Sequence, residues 1–233
     1  MAGVLYLVST PIGNLEDITL RALRVLREAD LVAAEDTRRS RALLAHFDIH
    51  AKLESFHSFN EHDKVGKLLE RVAAGERVAL VSDAGTPSVA DPGFLAVREA
   101  LRAGLPVEVV PGVSAVTFAV TASGLPVDRF SFYGFVPVKP GRRRAFLEEI
   151  CGSGRTVFCF ESPFRIAKTL AELAEISPDA AVAVIREATK LHEEVLRGSA
   201  VELAALKREW RGEFVIGIRA GAPAADPEEE PEP

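Results

Sequence analysis

The chain has 233 residues, of which 48% are hydrophobic, and it carries a formal net charge of −6 at pH 7. This length and apolar content exclude a wholly disordered chain and suit two compact α/β units. Cys151 and Cys159 are too far apart for a redox pair, and the five histidines lack metal-ligand spacing, so we expect no disulfide scaffold and no metal site.

The longest uncharged run, residues 109–127, has the length of a membrane span but is interrupted by prolines and glycines. We interpret it as a turn, a buried helix and a second turn. No basic and apolar leader precedes the first predicted strand. We therefore expect a cytoplasmic protein without a membrane partner.

The first half of the chain alternates short apolar runs with amphipathic segments, which predicts parallel strands connected by helices. The predicted strands are residues 4–8, 31–34, 52–55, 78–81 and 107–110. The predicted helices are residues 18–29, 38–47, 61–74, 92–103 and 115–123. Asp17 and Ser114 are expected N-caps, and Pro92 and Gly104 are expected to mark the two ends of the fourth helix.

The second half has a different order of elements, which predicts another α/β domain with a mixed sheet. The predicted strands are residues 130–133, 157–160, 181–185, 194–196 and 214–218. The predicted helices are residues 143–150, 166–174 and 201–210. We predict an N-terminal domain at 1–112, a C-terminal domain at 113–221 and an acidic disordered tail at 222–233.

Three predicted strands of the first domain end in loops of small residues, at 9–14, 82–87 and 111–115. Ligands of open α/β sheets bind beyond the carboxyl ends of strands, so these loops are candidates for a small-molecule site. Asp83 is a fixed acceptor and Gly85 permits close backbone approach. The alternative is an ordinary strand-to-helix connection in which Asp83 only caps backbone amides.

Three common nucleotide and hydrolase motifs are incomplete. Val116 occupies the second glycine position of a G-x-S-x-G elbow around Ser114. Gly13 is a single glycine where a dinucleotide fingerprint needs three, and Glu61 stands at the first glycine of a Walker loop. A hydrolase serine and a phosphate-cradling loop are therefore disfavoured.

Cationic side chains cluster in three places although the whole chain is acidic. The last twelve residues hold five acids and no base, so the body of the chain is close to neutral. Arg38 and Arg39 follow Glu35 and Asp36 in the first turn of a predicted helix, where cations are electrostatically disfavoured. The second cluster is Lys139 with residues 142–144, and the third is Arg165 with Lys168. The first two predict contact with RNA or phosphate, against the alternative of solvated helix faces.

Residues 186–194 form the densest polar run after a predicted strand. Lys190 and Glu193 are candidates for a site beside a ligand. The alternative is that these charges protect the edge of a sheet from aggregation.

Several motifs, taken together and in this order, resemble one family. They are Thr10-Pro-Ile-Gly-Asn14, Ala34-Glu-Asp-Thr-Arg38, Ser82-Asp-Ala-Gly-Thr-Pro87, Asp91-Pro-Gly93, Ser123-Gly-Leu-Pro126, Glu161-Ser-Pro163 with Arg165, Thr189-Lys-Leu-His-Glu-Glu194 and Gly212-Glu-Phe-Val215. Residues 3–219 thereby resemble the bacterial small-subunit rRNA ribose 2′-O-methyltransferases of the tetrapyrrole methylase superfamily. Val113 and Phe164 depart from the pattern, which has proline and histidine there.

The resemblance implies a two-domain class III methyltransferase fold, with a parallel-sheet N-domain and a mixed-sheet C-domain, in a homodimer. It implies that S-adenosylmethionine binds in the interdomain cleft and that a cytidine ribose in the decoding region of 16S rRNA, in the small ribosomal subunit, is methylated. The cofactor-binding residues it implies are Pro11, Asp83, Ala84, Gly85, Thr86, Ser114, Ala115, Tyr133 and Phe135.

Methyl transfer from a sulfonium is an in-line displacement that requires alignment and a proton acceptor but no metal. The expected catalytic residues are Glu35, Asp36 and Lys190. The expected RNA-binding residues are Arg38, Arg39, Arg142, Arg143 and Arg144. The alternatives are a methyltransferase of another branch with a porphyrinoid or protein substrate, a noncatalytic RNA-binding module for ribosome assembly, and, more remotely, a nicotinamide dehydrogenase.

Overall fold

The computed structural model describes residues 3–57 and 61–221, and of residues 61–63 it describes the backbone alone. The chain divides after Ala115 into two compact units, and each contains one five-stranded sheet. The tail predicted to be disordered, residues 222–233, lies outside the described residues.

The first unit contains an entirely parallel sheet. Its strands are β1 (Val4–Val8), β2 (Leu31–Ala34), β3 (Leu53–Ser55), β4 (Arg77–Val81) and β5 (Val107–Val110). Their order is β3-β2-β4-β1-β5, and every neighbouring pair is parallel. All five carboxyl ends therefore lie along one edge, as the predicted strand–helix alternation requires.

Helices cover both faces of this sheet. They are α1 (Leu20–Glu28), α2 (Thr37–His46), α3 (Glu61–Ala73) and α4 (Phe94–Arg102). Because side chains alternate along a strand, Leu31 and Ala33 pack into a core with α3 and α4, whereas Val32 and Ala34 pack into a second core with α1 and α2. Near-continuous apolar strands are the sequence signature of such a doubly covered sheet.

Two predicted helix starts were wrong. The side chain of Thr19 caps α1 by accepting from the amide of Ala22 at 3.0 Å, whereas the predicted cap Asp17 lies in a 3₁₀ turn, Leu15–Asp17. Helix α4 begins at Phe94, because the carbonyl of Pro92 accepts from the amide of Ser88 at 3.1 Å and holds Pro92 in the preceding loop.

The second unit contains the mixed sheet that the sequence predicted. Its strands are β6 (Phe130–Phe135), β7 (Thr156–Glu161), β8 (Ala181–Arg186), β9 (Glu194–Ser199) and β10 (Phe214–Arg219). The order is β6-β7-β10-β8-β9, with β6 parallel to β7 and the other pairs antiparallel. Strands β6, β7 and β8 consequently run in the same direction and end at the same edge.

From Ala115 to the end of the described residues there are four further helices. They are α5 (Ala115–Ser123), α6 (Pro140–Cys151), α7 (Ile166–Ile176) and α8 (Ala200–Ala204). Among the described residues, no helix has both the length and the apolar character needed to cross a membrane.

Helix α8 is shorter than the predicted helix at 201–210. Ser199 and Glu202 form a capping box that starts it, but the chain leaves the helix after Ala204. Trp210 packs edge-on against Phe214 of β10, and Arg208 pairs with Glu194 of β9. These tertiary contacts outweigh the helical propensity of the segment.

Two glycines allow the same substitution to be tested in opposite contexts. A Cβ at Gly217 in β10 would lie 2.7 Å from Cε1 of Phe158, whereas a Cβ at Gly66 in α3 would meet nothing within 4 Å. Gly217→Ala should lower the free energy of unfolding by about 1–3 kcal/mol through overpacking. Gly66→Ala should raise it by about 0.5–1 kcal/mol by favouring the helix. Denaturant titration measures both, and shifts of the same sign would contradict the described packing.

Candidate active site

Backbone strain is concentrated in two loops. Among the described residues, five that are not glycine have positive φ: Asp48, Ser88, Ala90, Glu187 and Thr189. Two lie in the loop after β4 and two in the loop after β8, whereas Asp48 follows α2. Each such conformation costs on the order of 1–3 kcal/mol and persists where surrounding contacts impose it, most often at functional sites.

The loop after β4 is joined to the loop after β1. The amide of Thr10 donates to the carbonyl of Gly85 at 2.9 Å, and the amide of Gly85 donates to the carbonyl of Thr10 at 3.0 Å. The hydroxyls of Ser9 and Thr86 lie 3.0 Å apart. Gly85 has φ 79°, and a Cβ there would lie 3.3 Å from the side chain of Ile12. The two loops therefore approach as closely as backbones allow.

The loop after β5 joins them at the same edge. A Cβ at Gly112 would lie 2.8 Å from Cβ of Ser9, so a glycine is required for this approach. The structure thus brings together the three small-residue loops of the first unit. The sequence-predicted cofactor residues there are mostly half-buried, with only Gly85 buried: Pro11, Asp83, Ala84, Gly85, Thr86, Ser114 and Ala115.

Asp83 is tied to the loop after β2. Its Oδ1 accepts from the amide of Asp36 at 2.8 Å, and its Oδ2 lies 3.7 Å from Nη1 of Arg39. The amide of Asp83 in turn points to Oε2 of Glu35 at 3.5 Å. One carboxylate oxygen of Asp83 thus has a structural role, and the other, beside a mostly exposed arginine, remains able to accept from a ligand.

Three acidic side chains at this edge influence one another electrostatically. Burial and the nearby charge of Asp83 raise the pKa of Glu35 above its ordinary value. Burial, followed by the charge of Glu35, raises the pKa of Asp91 to about 6, although a hydrogen bond with Ser82 opposes this. Asp91 was not among the sequence-predicted site residues, because Asp91-Pro-Gly93 also fits the start of a helix.

Asp36 has the opposite environment. Its Oδ1 caps α2 by accepting from the amide of Arg38 at 2.8 Å, and its Oδ2 pairs with Nη2 of Arg38 at 2.8 Å. The side-chain and backbone hydrogen bonds from Arg38 lower the pKa of Asp36 to about 2. Asp36 is therefore a charged cap and a poor proton acceptor, while the side chains of Arg38 and Arg39 are 86% and 64% exposed.

Lys190 lies in the second strained loop. Its Nζ is 3.0 Å from Oε1 of Glu187 and 2.8 Å from Oε2 of Glu213. Burial by itself would lower the pKa of Lys190, but the hydrogen bonds and charges of Glu213 and Glu187 outweigh it and raise the pKa. Gly212 has φ 97°, and a Cβ there would lie 2.6 Å from Cδ of Glu187, so a larger residue would displace this carboxylate. Lys190 is thus a positioned cation, and a neutral lysine base is disfavoured.

The remaining predicted cofactor residues lie at the end of β6. The pairing of β6 with β7 shifts register between Phe132 and Phe135, and Gly134 has φ 70°. Tyr133 and Phe135 are 44% and 60% exposed. This bulge turns backbone groups out of the sheet ladder.

The three consecutive arginines of α6 have different environments. Arg143 was predicted to bind RNA, but its side chain is only 5% exposed, and its Nε and Nη2 donate to the two carboxylate oxygens of Glu172. We therefore assign Arg143 a structural role. Arg144 is half-exposed and pairs with Glu148 and Glu175, and Arg142 is exposed without a partner among the described residues.

Comparison with known proteins agrees with this arrangement. The profile of tetrapyrrole (corrin/porphyrin) methylases matches residues 4–204, and the chain belongs to this family. Its relatives include proteins named Ribosomal RNA small subunit methyltransferase I. The protein from Halalkalibacterium halodurans is 44% identical, over 97% of this chain and 79% of its own length. The protein from Thermotoga maritima is 47% identical, over 86% of this chain and 90% of its own length.

Solved structures confirm the fold. Uroporphyrin-III-C-methyltransferase from Thermus thermophilus superposes with a TM-score of 0.66 at 24% identity, over 93% of this chain and 94% of that one. Diphthine synthase superposes with a TM-score of 0.72 at 18% identity, over 95% of this chain and 91% of that one. The predicted tetrapyrrole-methylase-like architecture is confirmed.

The raised pKa of Asp91 predicts a pH-dependent stability. Below about pH 4 the carboxyl is protonated in both the folded and the unfolded chain, whereas above pH 6 the folded chain must hold a charge in a partly buried position. Asp91→Asn should therefore raise the unfolding midpoint relative to the wild type at pH 7.5, and this gain should shrink as the pH falls to 4. Asp128→Asn, at an exposed position of the second unit, is the control. An Asp91→Asn effect of equal size at both pH values would contradict the assignment.

The neighbouring arginines of α6 provide a second test. Arg143→Ala leaves Glu172 without its buried partner and should cost about 3 kcal/mol of unfolding free energy. Arg144→Ala removes only exposed ion pairs and should cost less than about 1 kcal/mol. Equal losses in denaturant titration would show that burial does not distinguish the two.

Proposed function

We propose that this chain is an S-adenosylmethionine-dependent methyltransferase that modifies the 2′-oxygen of a cytidine ribose in the decoding region of 16S rRNA. The observation that carries the proposal is the identity of 44% and 47%, over most of both chains, with relatives named Ribosomal RNA small subunit methyltransferase I. With an rRNA substrate, the protein acts in the cytoplasm and its partner is the small ribosomal subunit. We propose that the active form is a homodimer.

The loops at the carboxyl edge of the first sheet fit such a cofactor. Gly85, with its positive φ, and Gly112, where a Cβ would collide with Ser9, leave backbone uncovered, and one oxygen of Asp83 is available to accept from an amine or a hydroxyl. A solved structure with the same fold is of a uroporphyrin-III C-methyltransferase complexed with S-adenosyl homocysteine. The cofactor residues we propose are those implied by the sequence: Pro11, Asp83, Ala84, Gly85, Thr86, Ser114, Ala115, Tyr133 and Phe135.

S-adenosylmethionine supplies a methyl group on a sulfonium that is already reactive. The protein must therefore hold the ribose in line with it and accept the hydroxyl proton. Of the three proposed catalytic residues, Glu35 is the best proton acceptor, because burial raises its pKa. Asp36 has a pKa of about 2 and orients Arg38, and Lys190 is a charged group that orients an anion. For phosphate contacts we propose Arg38, Arg39, Arg142 and Arg144.

Labelled S-adenosylmethionine and undermodified small subunits test the activity. We expect label in 16S rRNA, located on a cytidine ribose by nuclease digestion and mass spectrometry. Glu35→Gln should lower kcat at saturating cofactor by about 10²-fold or more, the effect of removing a general base. Glu108→Gln, an exposed glutamate of β5, is the matched control.

The same assay separates the alternative functions. Lys190→Ala and Asp36→Ala should also lower turnover, and wild-type rates in both would remove these residues from the mechanism. Label in a porphyrinoid or a protein, with none in small subunits, would indicate another methylase branch. If the protein binds small ribosomal subunits with an affinity that does not depend on S-adenosylmethionine, and transfers no methyl group, it is a noncatalytic RNA-binding module.

A further inference from the structure

Three loops at one edge of the second sheet each expose a large apolar side chain. The loops follow β6, β7 and β8, which run in the same direction. Val138 is 71% exposed, Phe164 is 90% exposed and Leu191 is 94% exposed. With strands about 4.8 Å apart, the strand ends that carry these loops span roughly 14 Å. Apolar side chains gathered at one edge indicate an interaction surface.

The loop that carries Phe164 is held rigidly by a buried carboxylate. Oε1 of Glu161 accepts from the amide of Ser162 at 2.7 Å and pairs with Nη2 of Arg165 at 2.6 Å. Oε2 of Glu161 accepts from the hydroxyl of Thr169 at 2.6 Å. The amide of Phe164 donates to Oγ of Ser162 at 3.2 Å. The backbone is therefore fixed while the ring points into solvent, which lowers the entropic cost of binding through the ring.

Unpaired cations follow the neighbouring loop of this edge, the loop after β6. Nη1 of Arg165 donates to the carbonyl of Val136 at 2.9 Å, which fastens the loop after β6 to the loop of Phe164. That first loop continues into Lys139 and Arg142, which are exposed and have no partner among the described residues. A rigidly held aromatic ring on one loop and two unpaired cations that follow the loop fastened to it match the chemistry of a single-stranded nucleic acid, which offers unstacked bases and phosphates.

We propose that this edge of the second unit binds a single-stranded segment of ribosomal RNA, with Phe164 stacked on a nucleobase and with Lys139 and Arg142 at phosphates. The inference rests on the proposed function and adds a contact that recognises the substrate. A second copy of the chain fits the edge less well. A stable dimer interface is a continuous apolar surface with few charges at its centre, whereas these apolar side chains stand on polar loops beside cations.

Variants of Phe164 distinguish stacking from general hydrophobic contact. Phe164→Leu and Phe164→Ala should each weaken binding of undermodified small subunits about tenfold, whereas Phe164→Trp should retain wild-type affinity. The affinity for S-adenosyl homocysteine, measured by calorimetry, should be unchanged in all three. Leu20→Ala, at an 86% exposed leucine of α1, is the control for loss of an exposed apolar side chain.

The two cations have a separate readout. Replacement of Lys139 and Arg142 together by alanine should reduce the dependence of subunit affinity on salt concentration, because fewer counterions are released on binding. Phe164→Trp should leave this salt dependence as it is in the wild type.

Several results would overturn the proposal. Wild-type affinity in Phe164→Leu would exclude stacking, and wild-type affinity in Phe164→Ala would exclude the edge as an RNA contact. A change from dimer to monomer in Phe164→Ala, seen by light scattering, would assign the edge to a second copy of the chain. If the wild type binds no S-adenosyl homocysteine and transfers no methyl group, the proposed function itself fails, whatever the variants do. Because Phe164 is exposed, unfolding midpoints should stay at the wild-type value and exclude misfolding as the cause.

Discussion

The reciprocal hydrogen bonds between Thr10 and Gly85 are the constraint on which the first unit's site depends. They join the ends of two adjacent parallel strands beyond the sheet, where Gly85 has a φ of 79° that favours glycine. With Gly112 placed against Ser9, three loops share one edge, and the carboxylates of Glu35, Asp83 and Asp91 influence one another there. Because the strands are parallel, the loops that follow them meet at one edge of the sheet. Because glycine has no side chain, these loops can approach one another closely.

Side chains of the same type differ in pKa and in exposure because their local environments differ. Asp36 is held charged by the arginine that it caps, whereas burial makes Glu35 and Asp91 easier to protonate. Arg143 and Arg142 are adjacent in sequence, yet one is enclosed with Glu172 and the other is exposed. A residue type and its position in a motif therefore do not determine its role until burial and hydrogen-bond partners are known.

The sequence predicted the strands and the loops that follow them, because apolar runs and the small residues after them are local signals. It did not predict the ends of several helices. Thr19 rather than Asp17 caps α1, and α8 stops early because Trp210 packs on β10. The burial of Arg143 and the raised pKa of Asp91 were also beyond prediction, since both depend on neighbours that are distant in the chain.

The order of strands in the first sheet has a consequence for biosynthesis. Because β4 lies between β1 and β2, the two strands made first do not pair with each other: β2 can pair with β3, but β1 has no partner until residue 81 has been translated. Hydrophobic strands that wait for a distant partner fold slowly and stay exposed to aggregation. The second sheet contains the local hairpin of β8 and β9 and is less subject to this delay. Nascent chains truncated before residue 77 should therefore depend most on chaperones.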